Sequence, residues 1–245
     1  MSGAVTSLWR HPIKSHGRER LDQITMTPGQ TMPGDRVWAV AHEASKADGS
    51  EWVPCANFSR GAKAPQLMAI SAQLQGNSVT LRHPERPDLS FEPDTQQQAF
   101  LDWVRPLMPT DRAASARIIR VPGRGMTDSD FPSVSLCNMA THRAVEQKLG
   151  RDLSIARWRG NIWFDGLPLW EEFDWLGRDI RIGEAVFHVR ERITRCLATT
   201  ANPDTGERDA DTLGALKNWE HQDFGVYAEV IEGGTIRTGD KVQVL

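Results

Sequence analysis

The residues with the clearest chemical potential lie in Arg192-Ile193-Thr194-Arg195-Cys196-Leu197-Ala198-Thr199-Thr200. A cysteine directly after Arg195, with Arg190 and Arg192 close by, stands in a locally positive environment if those side chains converge. Such surroundings favour thiolate, the form that attacks electrophiles and binds soft metals. The threonines around it can satisfy loop backbone groups or bind anion oxygens. Taken alone, a cysteine beside a strand is more often a small buried hydrophobe. Both readings stand at this point.

Other cations sit where strands are expected to begin or end. Lys14-Ser15, after His11-Pro12-Ile13, puts an ammonium beside a hydroxyl. Asp35-Arg36 precedes an apolar run, and Arg157-Trp158-Arg159-Gly160-Asn161 opens another. Such groups can clamp a phosphate or a polar heterocycle, arginine through its planar fork of donors. Singly, each reads as a solvated surface charge, so convergence decides.

Several patterns point away from other chemistries. Asn202-Pro203-Asp204-Thr205-Gly206 is turn chemistry. Its single Asp-Thr-Gly follows Asn-Pro where an aspartic protease would have an apolar strand, and that excludes a carboxylate pair of that kind. Glu171-Glu172 read as strand neighbours facing opposite ways, so no dyad is expected. Gly123-Arg124-Gly125 is too short a glycine pattern for a nucleotide site. The seven histidines show no HxH or HExxH spacing, so no zinc site is expected.

The elements that must position these residues are mostly strands. Short apolar runs over 5–9, 37–41, 66–71, 78–81, 116–121, 161–164, 185–189, 227–231 and 241–245 are flanked by Gly, Pro, Asn or Asp, the pattern of strands between turns. Three segments read as helices: 94–107, with Phe100, Leu101 and Val104 at helical spacing; 138–149, stopped by Gly150; and 211–220. Residues 84–98 and 122–132 read as loops. The fold class is therefore mostly β with peripheral helices (α+β), divided near the second loop into residues 1–121 and 122–245.

Bulk properties narrow the setting. A chain of 245 residues can bury a substantial core, as one large β-rich domain or two small ones. A net charge of -3 argues against a general nucleic-acid binder. No apolar run is long enough to span a bilayer, and the first residues lack the apolar centre of a secretory signal. Cys55, Cys137 and Cys196 are odd in number and widely spaced, which points to a reducing cytoplasm and not to a disulfide framework. With no cysteine pair or run, no iron–sulfur cluster is expected in the chain itself. Nine Trp against one Tyr read as bulky core and interface anchors.

In order along the chain, these pieces resemble the MOSC family, named for the C-terminal domain of molybdenum-cofactor sulfurases, and within it the branch of the mitochondrial amidoxime-reducing component and its bacterial relatives. The resemblance covers essentially the whole chain. It runs from Leu8-Trp9-Arg10-His11-Pro12-Ile13-Lys14-Ser15 through Gly34-Asp35-Arg36-Val37-Trp38, Arg157–Asn161 and Trp170–Trp175. Its most specific part is Thr194-Arg195-Cys196 with Thr199-Thr200 and Pro203–Gly206, followed by Phe224–Tyr227 and Ile236–Asp240.

The resemblance implies a MOSC-type β-barrel with a β-rich N-terminal half and a bound molybdenum cofactor. In such proteins a molybdopterin dithiolene gives the metal two sulfurs and one cysteine completes the sphere; by position that cysteine is Cys196. Lys14, Ser15, Arg36, Arg159, Asn161, Thr194, Arg195 and Tyr227 fall where the family contacts the pterin and its phosphate. The implied activity is oxidoreduction: oxygen removed from an N-hydroxylated or similar N-oxygenated small molecule, with electrons from a separate flavin or iron–sulfur reductase. Transfer of a persulfide on Cys196 and non-catalytic carriage of the cofactor are the alternatives. The sequence departs from the family pattern at His16, often Cys; Gly160, often Pro; Asn202, often Asp; and Asp130-Phe131-Pro132, where the family has a Thr-Ser-Pro contact.

Overall fold

Strand alternation and its interruptions set the architecture in the computed structural model, which describes residues 3–245. The first half contains β1 (Gly3–Arg10), β2 (Glu19–Leu21), β3 (Gln23–Met26), β4 (Ala39–His42), β5 (Ser71–Gln75), β6 (Ser78–His83), β7 (Arg86–Phe91), α1 (Gln97–Val104) and β8 (Ser115–Ile119). The second contains β9 (Val134–Asn138), α2 (Met139–Leu149), β10 (Ile162–Asp165), β11 (Asp179–Ile182), β12 (Ala185–Thr194), α3 (Thr212–Leu216), β13 (Asp223–Glu232), β14 (Gly234–Arg237) and β15 (Lys241–Val244). The mostly β class with three short helices is as expected.

Seven strands hydrogen-bond in the order β10-β9-β13-β12-β11-β15-β1, and β1 pairs back onto β10 to close a barrel. Closure leaves the ring without a free edge. Val5, Leu8, Leu136, Ile162, Phe164, Phe187, Val226 and Val242 are buried in one core with the neighbouring barrel residues. Strand β1, first in the chain, thus sits between two strands from the second half. Strands β9 and β10 are parallel and are joined by α2, the crossover that parallel pairing needs. Asn138 caps α2 by accepting from the Ala140 N–H, and Gly150 ends it in the left-handed conformation.

Strand β2 pairs with β1 and β3 with β14 on the barrel side, and the later first-half elements form a second core. Strands β5-β6-β7 make an antiparallel sheet, β4 pairs with β8, and Leu67, Val79, Leu81, Phe91, Phe100 and Trp103 are buried together.

Local differences from the sequence reading have physical reasons. Residues 66–71, expected as a strand, begin as a single 3-10 turn (Pro65–Ala69) with Pro65 at its start, where a missing N–H costs nothing. The expected loop 84–98 contains β7. Its Pro87 is accommodated because β7 is an edge strand, where a ladder donor can be absent. Glu171 and Glu172 lie on a 3-10 turn (Glu171–Trp175) and not on a strand, and Glu172 is fully buried.

Candidate functional site

The chain leaves β1 and enters a tight segment in which Ser15 has φ 65 and Gly17 φ 89. The turn drives Lys14 inward: its ammonium is buried and donates to Met126 O at 2.7 Å and to Asp128 Oδ1 at 2.6 Å. Beneath it, Asp35 accepts from the His11 N–H at 2.7 Å and from the His11 ring at 3.1 Å, and it pairs with Arg36. Burial opposes ionisation of Asp35, but the adjacent Arg36 and the His11 hydrogen bond outweigh it and hold the carboxyl below its usual range. Burial, with the nearby Arg159 charge, pushes His11 down to about 3. The ring is therefore neutral, with Nδ1–H as the donor. Asp35 thus anchors Arg36, which has φ 51 and sends Nη2 to the carbonyl of Arg159 at 3.1 Å.

Arg159 itself has φ 50. Its guanidinium makes no hydrogen bond to any described residue, and its Nη2 is shut away from solvent without a partner. Burial, then the like charge of Arg36, pushes it down to about 9. Among the described residues five non-glycine positions lie in the left-handed region, and three of them are Ser15, Arg36 and Arg159. Left-handed backbone at such residues persists only where surrounding structure enforces it. Here all three border one cleft.

The facing wall comes from the end of β12 and the turn after it. The β12–β13 pairing shifts register between Val186 and Phe187, Val189 and Glu191, and Arg192 and Thr194. Such irregularities re-aim side chains. Thr194 Oγ1 donates to Asp223 at 2.7 Å. Buried Arg195 donates from Nε to Phe224 O at 2.8 Å and from Nη1 to Trp158 O at 2.7 Å, with the Trp158 and Phe224 rings beside it. Cys196 is exposed and caps the 3-10 turn Leu197–Thr200, its carbonyl accepting from Thr199. Burial raises Tyr227, keeping the phenol a neutral donor.

Lys14, Ser15, Arg36, Arg159, Thr194, Arg195, Cys196 and Tyr227 all border one cleft of about 370 Å³. Asn161 does not. Its Oδ1 accepts from the Ser135 N–H and hydroxyl, and its Nδ2 donates to Trp9 O at 3.1 Å. It ties β1, β9 and β10 together behind the cleft. Of the cations expected beside the cysteine, Arg190 pairs with Glu229 away from the cleft, whereas Arg192 borders it with its guanidinium over Phe173 at 4.2 Å.

Asp130 is exposed, its carbonyl accepting from Arg124, and the carboxylates bordering the cleft are Asp128 and Glu191. The Asp128 side chain is half exposed; the desolvation that remains opposes its ionisation, yet Lys14 beside it holds it below the usual range. Sequence reasoning also missed Cys55, Arg60 and Arg157, which border the same cleft. No local pattern marks Cys55 or Arg60; Arg157 lay in a segment already singled out. Among the described residues no three His, Cys, Asp or Glu side chains gather to hold a metal on their own.

Residues 126–243 match the MOSC domain, and residues 2–114 match the MOSC N-terminal beta barrel domain. The chain is 25% identical to mitochondrial amidoxime-reducing component 1 of Mus musculus, over 99% of this chain and 82% of that protein. It is 28% identical to the Xenopus laevis protein of the same name, over 98% and 81% respectively. Molybdenum cofactor sulfurase of Drosophila grimshawi is 32% identical, over 45% of this chain and 16% of that protein. Among solved structures, the YUAD protein from Bacillus subtilis has the same fold, with a TM-score of 0.52 at 13% identity over 100% of this chain and 96% of that one.

Proposed function

The chain belongs to the MOSC domain family, and from that premise we propose that it holds a molybdenum cofactor in the Lys14–Cys196 cleft and reduces N-oxygenated small molecules. The observation that carries this reading is Arg159, a guanidinium without an acceptor facing a cleft that an exposed cysteine also borders. An unpaired cation in such a place costs stability unless an anion joins it. The cofactor's phosphate is such an anion.

The donor set fits the group. Lys14, Ser15, Arg36 and Arg159 supply charge and donors on one wall. Thr194, Arg195 and Tyr227 line the other, and Arg195 acts through the backbone carbonyls it holds in place. Cys196 supplies the protein's sulfur ligand, and a soft thiolate suits a metal that already has sulfur ligands. When bound, the molybdenum cofactor supplies the redox centre and the oxygen acceptor. Everything else is the protein's part: orienting the substrate, excluding water and fixing the thiol.

Electrons come from a separate flavin or iron–sulfur reductase. The division falls near residue 121, with β1 lent to the barrel of the second half, and the cleft forms between that barrel and the rest of the first half, in a cytoplasmic setting. Among the described residues no helix is long and apolar enough to cross a membrane. Persulfide transfer is the second reading; the exposure of Cys196 favours it, and so does the match to a molybdenum cofactor sulfurase over 45% of the chain.

The test is to express the protein in cells that make the cofactor, then to measure bound molybdenum and pterin in wild type and Cys196→Ala. The expected result is near-stoichiometric molybdenum and pterin in wild type and loss of molybdenum in the variant. Metal-free wild type carrying a persulfide on Cys196 would replace this reading by sulfur transfer. Fully loaded protein that turns over no amidoxime with an artificial donor would leave only a carrier.

A further inference from the structure

Arg159 is not the only cleft arginine with donors to spare. Arg36 and Arg195 direct theirs to Asp35 and main-chain carbonyls, Arg157 gives both terminal nitrogens to Thr200 O and Asp209 and keeps only a buried Nε unpartnered, and Arg192 lies exposed over Phe173. Arg60 resembles Arg159 in keeping donors free, and unlike the exposed Arg192 it is half-buried. Its Nη1 donates to Cys55 Sγ at 3.2 Å, and its other side-chain donors meet no described residue. No carboxylate lies within 4.0 Å of it. The sulfur contact fixes the guanidinium in place while leaving most of its five donors free.

Arg60 also occupies a distinct position. It borders both the Cys196 cleft and a second depression of about 280 Å³ whose wall includes Lys63 and Arg112. Lys63 is exposed and without a carboxylate partner, and Arg112 is paired only with its neighbour Asp111, at 3.7 Å. Basic residues therefore border both depressions, with Arg60 common to the two, in a chain whose net charge is -3. The turn carrying Arg60 is held to the cysteine loop: Arg208 donates to Ala62 O at 2.9 Å and to Thr200 Oγ1 at 2.6 Å. A Cβ on Gly61 would lie 3.5 Å from that of Ala198.

We infer that Arg60 is a substrate-selecting residue, binding a carboxylate or phosphate carried by the N-oxygenated substrate while its reducible group lies at Cys196. This rests on the reductase reading for the reaction but not for the anion subsite. Two half-buried guanidiniums with free donors, Arg159 and Arg60, at separate places in one cleft call for two anions. The deep one suits the cofactor's phosphate and the outer one suits the substrate. The cations lining the cleft outnumber its carboxylates, Asp128 and Glu191; such an excess concentrates anions, and a fixed arginine fork adds direction.

The first experiment needs no cofactor. Initial alkylation rates at Cys196 are mapped by mass spectrometry with iodoacetate and with neutral iodoacetamide. The iodoacetate-to-iodoacetamide ratio in the folded protein is expected to exceed that of the urea-unfolded chain by about tenfold. Arg60→Gln is expected to lower it about threefold, Arg60→Glu to lower it further, and Arg60→Lys to restore most of it. A ratio the same in wild type, Arg60→Gln and Arg60→Glu overturns the assignment.

The second experiment uses loaded protein and three matched amidoximes: neutral, carboxylate-bearing and phosphonate-bearing. Arg60→Gln is expected to raise KM for the anionic members by about tenfold more than for the neutral one, and the anion showing the larger ratio identifies the group recognised. Turnover with no charge preference overturns this inference and leaves the reductase reading intact. Charge-selective alkylation with no amidoxime turned over does the reverse, since it keeps the anion subsite and removes the reductase.

Discussion

Arg36 Nη2 donates to the backbone carbonyl of Arg159 at 3.1 Å, so one arginine fixes the main chain of the other and leaves its guanidinium free. Arg36 is itself held by Asp35, and Asp35 by His11. The chain of contacts runs from a buried neutral histidine to an unpaired cation facing the cleft. Left-handed backbone at both arginines is the local cost of that arrangement.

Replacing Arg159 should therefore separate stability from binding. In Arg159→Met the cofactor-free protein is expected to gain about 1 kcal/mol, or about 2–4 °C in Tm, because an uncompensated charge leaves the interior. Bound pterin and molybdenum are expected to fall sharply. Calorimetry of the cofactor-free protein checks the first half, and a lower Tm would mean that Arg159 has a structural partner.

Asn161→Ala is expected to behave in the opposite way. It leaves the Ser135 N–H and the Trp9 carbonyl without a side-chain partner, so urea denaturation should register a loss of about 2–4 kcal/mol. Cofactor content should decline only with the folded fraction. A variant of wild-type stability that fails to load would instead make Asn161 a direct contact.

Glu172 predicts a pH effect on stability. Burial pushes its carboxyl up to about 7 from an ordinary 4.5, although Asn138 and Thr141 both donate to it. Because the folded pKa is raised, the stabilisation is present below pH 4.5 and is lost as pH rises towards 7, the unfolded chain ionising first. Glu172→Gln removes this titration. Its stability relative to wild type should rise by about 2–3 kcal/mol between pH 4.5 and pH 8, whatever the absolute penalty of the amide. Chemical denaturation at four or five pH values measures the slope; a flat difference would place the carboxyl in its normal range.

Gly206 sits at φ 73 where a Cβ would come within 2.7 Å of Gln66 Cα. Gly206→Ala should cost about 1–3 kcal/mol through backbone strain and that clash. It should also free the 202–208 loop, which bonds to Arg18 and Ala62. Faster limited proteolysis in that loop is the readout, and unchanged cleavage would show that the loop does not depend on this contact.

Much of the architecture was legible because its signals are local. Gly150 ended α2, Asp211 capped α3 and short apolar runs between turn residues marked most barrel strands. The misread stretches are those where context overrides propensity: Pro87 is tolerated only because β7 lies at an edge, and Glu172 is buried only because two donors meet it.

The sequence by itself determined that Cys196, Lys14, Arg36 and Arg159 stand at element boundaries, since turn chemistry and side-chain periodicity are written over a few residues. Tertiary structure decided which of them meet. Barrel closure places β1 between β10 and β15 and so carries Lys14 and Ser15 towards the end of β12. It also decided that Asp128, and not Asp130, borders the cleft, that Asn161 lies behind it, and that Arg60 and Cys55 join it from a segment with no motif. Convergence depends on contacts between residues more than a hundred positions apart, and no pattern of near neighbours records them.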